Sequence, residues 1–331
     1  MKKIDYTQLQ PGDILLTTSL AAESWSIRAG TKSDISHAML YVSSTSVIDS
    51  TGDGVHARNL QKMFYDDKCA IHALRLKGPL TTDQLSKAIA YARAVTGTGY
   101  SVIEAVRTLR NPRGRGSDKQ FCSRLVARAY AAAGITLVGN PDFCTPEQLK
   151  ESPFLFLLPS PAASVSDEEY RSLTTQPNGV EGMVRVTNDL LGQVRALSPQ
   201  IQSINDAFQY LIENPEMDDA VLEALRSSGY LDYWRTELAR FPWRYDMDAL
   251  TVLLEKSQVG AEIREYCEET LAHDAAGSFK HWEINLATAR AQADQFQLKS
   301  FAAMARLYEN LVENHQVRVR VAREWLASRA K

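Results

Sequence analysis

Apolar and polar residues alternate over short runs in the first quarter of the chain. An alternation with a period of two residues predicts β-strands that bury one or both faces. A short polar turn at residues 43–45 separates two of the runs and predicts that these strands pair as neighbours, and the last run predicts a central strand. The runs cover residues 13–18, 38–42, 46–49, 55–60 and 69–76.

Helical periodicity appears next. Thr81 is a predicted N-cap, and apolar residues from Leu85 to Val95 recur on one face of the helix that follows it. A second helix is predicted from Cys122, with Gly134 as its C-cap. A shorter helix is predicted at residues 21–29.

The composition and periodicity of the sequence change after residue 152. Residues 153–161 carry three prolines, and a polar stretch follows to residue 179. From about residue 180 onward the chain consists of amphipathic helical segments. We therefore predict two domains, a mixed α and β domain at residues 1–164 and a helical domain of unknown role at residues 165–331.

Composition excludes several classes of protein. The 331 residues are 44% hydrophobic and 23% charged, with a net charge of −3, so charge gives no drive toward nucleic acid. The sequence contains no run of 18 apolar residues and therefore predicts no transmembrane segment. Its N-terminus lacks a signal-peptide pattern, which predicts synthesis in the cytoplasm and leaves open an export route that needs no cleavable signal.

The four cysteines lie far apart and form no CxxC pair. This spacing argues against a metal site and against a disulfide framework, and nothing else in the sequence calls for a cofactor. Cys69, Cys144 and Cys267 are predicted to be small buried core residues.

Cys122 stands out among them because of its neighbours. A polar loop at residues 111–119 precedes it, and an apolar-periodic helix follows it. A cysteine at a helix N-terminus faces unpaired N–H groups and the positive end of the helix dipole, both of which favour a thiolate. The alternative is an ordinary buried helix cysteine.

A histidine and a carboxylate lie on the two predicted strands that pair. His37 lies within residues 35–42, which read as the first of these strands, and Asp49 lies near the end of the next. Cross-strand neighbours have Cβ atoms about 5 Å apart, so the carboxylate can orient the imidazole and stabilise its charged form. Asp53 and His56 are rival partners for His37. Cysteine, histidine and an orienting acid are the components of a thiol nucleophile system.

Three stretches carry a resemblance to a known family. They are LQPGDILL at residues 9–16, FCS at residues 121–123 and CTPEQL at residues 144–149. With histidine before cysteine, their order resembles the permuted branch of the NlpC-type papain-like superfamily, which includes YiiX- and YebB-like proteins and lecithin:retinol acyltransferase-like enzymes. The resemblance covers about residues 5–160.

The resemblance implies that the first domain is a permuted papain-like domain with an antiparallel sheet and helices. Together with the helical periodicity after residue 180, this predicts an α+β protein with an all-α C-terminal domain. It implies Cys122 as nucleophile, His37 as general base and Asp49 as the third residue of a Cys-His-Asp triad. Members of the superfamily use His, Asn, Gln or Glu at the third position, so aspartate departs from them in length. The Cys122 N–H is one expected oxyanion donor. The candidates for a second donor are Trp25, Ser36 and Tyr41.

A cluster of basic residues lies in and around the polar loop at residues 111–119, beside Cys122. It includes Arg113 and Arg115. We predict that it binds an anionic group such as a phosphate or carboxylate. The alternative is a solvated loop. The cluster is too short and too poor in aromatic residues to predict nucleic-acid binding.

These observations predict a thiol hydrolase or acyltransferase that forms an acyl-enzyme. A lipid ester is the first predicted substrate, since permuted members lean toward lipid chemistry, and a peptidoglycan peptide or amide is the second. A large helical domain also fits a bacterial toxin or effector. A non-catalytic papain-like module, whose helical domain binds a protein partner, is the alternative outside enzymes.

Overall fold

The structure is a computed structural model that describes residues 1–18, 33–43, 45–99 and 120–329. The predicted helix at residues 21–29 lies outside these ranges. Contacts between Cα atoms divide the chain into two units. The first comprises Met1–Val184 and Arg195–Ala207, and the second comprises Arg185–Val194 and Phe208–Lys331. The domain boundary after residue 164 stays a prediction.

Two antiparallel sheets form the centre of the first unit. The larger sheet has six strands in the order β5-β4-β3-β2-β7-β8, and the smaller has three in the order β6-β1-β9. Helices accompany the sheets, so the α+β prediction is confirmed. The predicted central strand is β7, which lies between β2 and β8. The strands are β1 (Lys2–Ile4), β2 (Ile14–Thr17), β3 (His37–Ser43), β4 (Ser46–Thr51), β5 (Gly54–Asn59), β6 (Phe64–Tyr65), β7 (Ile71–Leu76), β8 (Leu155–Leu157) and β9 (Ala162–Ser164).

Both faces of the large sheet are buried. Along β3, Ala38 and Leu40 contribute to one apolar cluster, while Met39 and Tyr41 contribute to another. This division follows from the two-residue period of a strand. Helices α1 (Thr82–Ala94) and α2 (Cys122–Ala132) supply residues to the first cluster. The packing of α2 against β3 and β4 brings the cysteine helix to the histidine strand.

Local capping explains where these helices begin and end. The Thr81 side chain accepts from the Gln84 N–H in a capping box, which confirms the predicted N-cap of α1. Thr145 and Gln148 make the same arrangement at α3 (Pro146–Lys150). Beyond α2, Gly134 adopts a φ of +78°, the left-handed conformation that favours glycine after a helix.

The turn before β2 depends on a glycine. Gly12 has a φ of +96°, and a Cβ atom there would lie 2.6 Å from Leu80 Cδ1. The hydroxyl of Tyr130 in α2 donates to the Gly12 carbonyl. Next to it, the buried Asp13 carboxylate lies 2.7 Å from Arg75 on β7. The PGD stretch therefore ties the start of β2 to a helix and to a neighbouring strand.

Helices follow one another from residue 179 to the end of the described chain, as the sequence predicted, and a further helix at residues 167–175 lies in the polar stretch that precedes them. Within the second unit, Leu250, Ile263, Val321 and Trp325 belong to one buried cluster. No helix in the described ranges combines the length and the apolar character that a membrane span needs. The helices are α4 (Asp167–Thr175), α5 (Gly179–Leu197), α6 (Ile204–Glu213), α7 (Asp218–Ser227), α8 (Trp234–Arg240), α9 (Met247–Lys256), α10 (Gly260–Ala275), α11 (Lys280–Phe296) and α12 (Lys299–Arg329).

Candidate active site

Cys122 is the first residue of α2. The N-cap residue, Phe121, is extended and makes no side-chain cap hydrogen bond, because its side chain has no polar atom. The first N–H groups of the helix therefore receive no cap from the Phe121 side chain. The Cys122 side chain is buried, and its Sγ lies 3.9 Å from the Ser36 carbonyl oxygen.

The Ser36 carbonyl is adjacent in sequence to His37, the first residue of β3. The His37 Nε2 atom lies 2.9 Å from Asp49 Oδ2. The Cys122 side chain also interacts with His37 and helps to raise the pKa of its imidazole. The structure thus brings together all three residues that the sequence singled out.

The contact between His37 and Asp49 is diagonal across the sheet. The residue directly opposite Asp49 on β3 is Met39, two positions beyond His37. Side chains two residues apart share one face of a strand, so His37 and Asp49 point to the same side. Diagonal neighbours lie farther apart than the directly opposed pair but within reach of a long side chain such as histidine.

The protonation of His37 is set by its partners. Burial alone would lower the pKa of His37, but its hydrogen bonds with Asp49 and Cys122, and its attraction to both groups, raise it from 6.5 to about 10. Burial raises the pKa of Asp49, yet the hydrogen bond with His37 and the charges of His37 and Arg58 outweigh burial and lower it. The favoured state of His37 is therefore an imidazolium paired with the ionised Asp49 carboxylate.

Sequence reasoning missed Arg58 on β5. Its Nε atom donates to Asp49 Oδ1 at 3.1 Å, while the other carboxylate oxygen faces His37. The register of the sheet explains this contact. His56 pairs with Asp49, and residue 58 lies two positions further along β5 on the same face of the sheet. A basic residue at that spacing, on the strand after the acid, is what would have revealed it.

The two rival partners for His37 lie at the edge of this arrangement. The Asp53 carboxylate is exposed and 3.8 Å from Arg58. The His56 Nε2 atom lies 2.9 Å from the Asp53 carbonyl oxygen. Asp49 is therefore the carboxylate that contacts His37 in the described part of the chain.

The predicted substrate-binding residues have different positions. Ser36 is buried and directs its backbone carbonyl at the thiol. Tyr41 packs in the apolar cluster of the second sheet face, four residues along β3 from His37. Trp25, Arg113 and Arg115 lie outside the described residues. Substrate contact by all five stays a prediction.

The remaining cysteines are buried, as predicted. Burial raises the pKa of Cys144 to about 12, and its Sγ donates to the Ser123 carbonyl at 3.4 Å. Burial also raises the pKa of Cys267 to about 11. These two thiols are held in the protonated form, which sets them apart from a nucleophile. Among the described residues, no three His, Cys, Asp or Glu side chains are grouped as metal ligands.

Comparison with known proteins supports a family for this part of the chain. Residues 8–151 match the family described as "Permuted papain-like amidase enzyme, YaeF/YiiX, C92 family". The antiparallel sheets and helices of this segment are consistent with a permuted papain-like fold. The match contains Cys122, His37 and Asp49, and it supports the resemblance at the level of the permuted papain-like family.

Two individual proteins are similar to the chain. A "Probable lipoprotein peptidase YaeF" from Escherichia coli K12 is 33% identical over 102 residues, which cover 30% of this chain and 36% of that relative. The chain therefore matches about a third of the length of this curated relative. The crystal structure of "metalloprotein yiiX" from Escherichia coli O157:H7 aligns with 46% of this chain and 97% of its own, at 21% identity and a TM-score of 0.38.

Proposed function

We propose that the first unit is a cysteine hydrolase that cleaves an amide bond in a peptide or a cell-wall peptide. One observation carries the proposal: Cys122, at the start of α2, interacts with His37, whose Nε2 atom lies 2.9 Å from Asp49. A nucleophile, a base in contact with it and a group that orients the base are the parts of a covalent catalyst.

The proposed reaction begins with the Cys122 sulfur as a thiolate beside the His37 imidazolium. The sulfur attacks the amide carbonyl carbon, and the carbonyl oxygen becomes an oxyanion. When the C–N bond breaks, His37 gives its proton to the leaving amine. Water then attacks the thioester and gives a proton to His37. The C–S bond breaks, the carboxylic acid leaves, and the Cys122 thiolate and His37 imidazolium are restored.

The start of α2 is suited to the developing oxyanion. The Cys122 N–H belongs to the first turn, and Phe121 offers no side-chain oxygen that would compete for it. Preorganised donors of this kind contribute about 3 kcal/mol each to the transition state. A second donor is still to be identified, and Ser36, Tyr41 and Trp25 stay predictions for it.

The family description and the name of the relative favour an amide over an ester. The matching family is described as amidases, and the relative is named a probable peptidase. A lipid ester, acyl transfer and a toxin or effector role have no such support. The prediction that a basic cluster binds an anionic group depends on Arg113 and Arg115, which lie outside the described residues. The protein partner of the helical domain and the place where the protein acts also stay predictions.

Product analysis tests the proposal. The full chain and Cys122→Ala are incubated in parallel with purified peptidoglycan, with a mixture of peptides and with phospholipid vesicles, and the products are separated by mass spectrometry. We expect new amines and carboxylic acids from a peptide or muropeptide with the wild-type chain alone. Lysolipid or free fatty acid as the sole Cys122-dependent product would replace the amide by an ester. No Cys122-dependent product in any pool would favour the non-catalytic module.

Cys144→Ala is the matched control for this experiment. Cys144 is as buried as Cys122 and lies near it, but its thiol is held protonated. Its substitution should leave turnover in place. Equal losses from both substitutions would indicate a packing defect and would count against a nucleophilic role for Cys122.

A further inference from the structure

We infer that Arg58 is a positioning residue of the proposed catalytic set, one that fixes the Asp49 carboxylate so that one oxygen remains aimed at His37. The inference deepens the proposed function and depends on it. Within the described part of the chain, Arg58 makes no hydrogen bond to the thiol or to the imidazole, so its action on them passes through Asp49.

The first observation is the division of the Asp49 carboxylate between two partners. Oδ2 lies 2.9 Å from His37 Nε2, and Oδ1 accepts from Arg58 Nε at 3.1 Å. The Asp49 side chain is only 3% exposed, so water cannot hold it in place of a protein donor. With both oxygens engaged, rotation of the carboxylate about its Cβ–Cγ bond would break two charge-assisted hydrogen bonds together.

The second observation is that Arg58 itself is anchored. Its Nη2 atom donates to Thr51 Oγ1 at 2.6 Å and lies 3.8 Å from Asp53 Oδ2. The guanidinium therefore bridges Asp49 and Thr51, which are two residues apart on β4. A planar fork with fixed donor directions suits such a bridge, whereas a lysine ammonium offers a single charged point.

The third observation is electrostatic. The charge of Arg58 and its hydrogen bond both help to lower the pKa of Asp49, against the effect of burial. An ionised carboxylate in a buried position is costly without such partners. Arg58 thus keeps Asp49 in the form that attracts an imidazolium.

Positioning and simple charge have opposite effects on His37, and this permits a sharp test. If Arg58 acted on His37 directly, as a nearby positive charge and not through Asp49, its removal would relieve repulsion and would leave the pKa of His37 unchanged or higher. If Arg58 holds the carboxylate, its removal lets Asp49 turn away, and the pKa of His37 falls.

The experiment compares Arg58→Gln, Arg58→Lys and Arg75→Gln with the wild-type chain. The pKa of His37 is measured by NMR titration of histidine labelled at Cε1, which needs no substrate, and circular dichroism checks folding across the titration. Arg75 is the matched control because it also pairs with a buried aspartate, Asp13, at 2.7 Å. Asp13 precedes β2, whose Thr17 pairs with His37, so it lies four residues away, or roughly 13 Å along the strand.

We expect the pKa of His37 to fall from about 10 to about 9 or below in Arg58→Gln. The reason is that the Asp49 carboxylate would no longer be held close to the imidazolium. Arg58→Lys should give an intermediate value, and Arg75→Gln the wild-type value. On the active peptide substrate, kcat for Arg58→Gln should fall roughly 10- to 100-fold with little change in KM.

A pKa of His37 in folded Arg58→Gln that equals or exceeds the wild-type value would overturn the inference. The same value in Arg58→Gln and Arg75→Gln would also overturn it. Failure of the proposed function would appear differently, as an absence of Cys122-dependent turnover in the wild-type chain. In that case a lowered His37 pKa in Arg58→Gln would still support the positioning role.

Discussion

Replacing Asp49 by asparagine removes the charge beside His37 and nearly preserves the shape of the side chain. The pKa of His37 is raised from 6.5 to about 10. At about 1.4 kcal/mol per pKa unit, this difference corresponds to about 5 kcal/mol in favour of the imidazolium in the folded state. Among the interactions that raise this pKa, the hydrogen bond with Asp49 has the largest effect. We therefore expect the pKa of His37 to fall to about 7–9 in Asp49→Asn.

This change has consequences for stability and for activity. A pKa that is raised on folding stabilises the folded state fully below 6.5, and that stabilisation is lost as the pH rises through about 10. The free energy of unfolding of the wild-type chain should decline over this interval. In Asp49→Asn the decline should be smaller and complete at a lower pH. The alkaline limb of the kcat/KM profile should shift to lower pH in parallel. In addition, kcat should fall by about 10²- to 10⁴-fold.

The assay combines urea unfolding at a series of pH values, NMR titration of His37 and pH–rate profiles on the active substrate. Asp13→Asn is the control, since Asp13 is equally buried and is paired with Arg75 rather than with His37. If the pKa of His37 and the alkaline limb were the same in Asp49→Asn as in the wild-type chain, the proposed role of Asp49 would be refuted.

Three further predictions concern reactivity and stability. Iodoacetamide at neutral pH should alkylate Cys122 faster than Cys144, whose raised pKa keeps it protonated; peptide mass mapping would show this, and faster labelling of Cys144 would contradict it. Gly12→Ala should lower the free energy of unfolding by about 1–3 kcal/mol, because its φ of +96° strains any side chain; an unchanged urea midpoint would contradict this. Asp218→Ala should cost about 1–2 kcal/mol, because its carboxylate accepts the first N–H groups of α12 at 2.7 and 2.9 Å; unchanged unfolding of the helical region would contradict it.

Much of the fold could be predicted from local patterns. The alternation in β3 and β4 and the capping residue Thr81 are short-range signals, and the structure bears them out. Such signals work because the period of a strand and the geometry of a helix N-terminus depend on a few adjacent residues. The pairing of β3 with β4 followed from the short turn between them.

The contacts that the sequence did not predict depend on the register of the sheet. Predicting that His37 and Asp49 are close required only that their strands be neighbours, but their diagonal contact depends on Asp49 lying opposite Met39. Arg58 was missed because it lies one strand further away. A register is fixed by the whole sheet and its turns, and a slip of one residue would turn Arg58 to the other face.

The direct test of the central claim is to trap the acyl-enzyme on Cys122. The protein is mixed with its peptide substrate, quenched in acid, digested with trypsin and analysed by mass spectrometry. Cleavage after Lys119 and Arg124 releases residues 120–124, which contain Cys122 and no other cysteine. The account predicts that this peptide gains the mass of the substrate acyl group, that hydroxylamine removes the added mass, and that Asp49→Asn forms it more slowly. Continued cleavage of the substrate by Cys122→Ala would contradict the account.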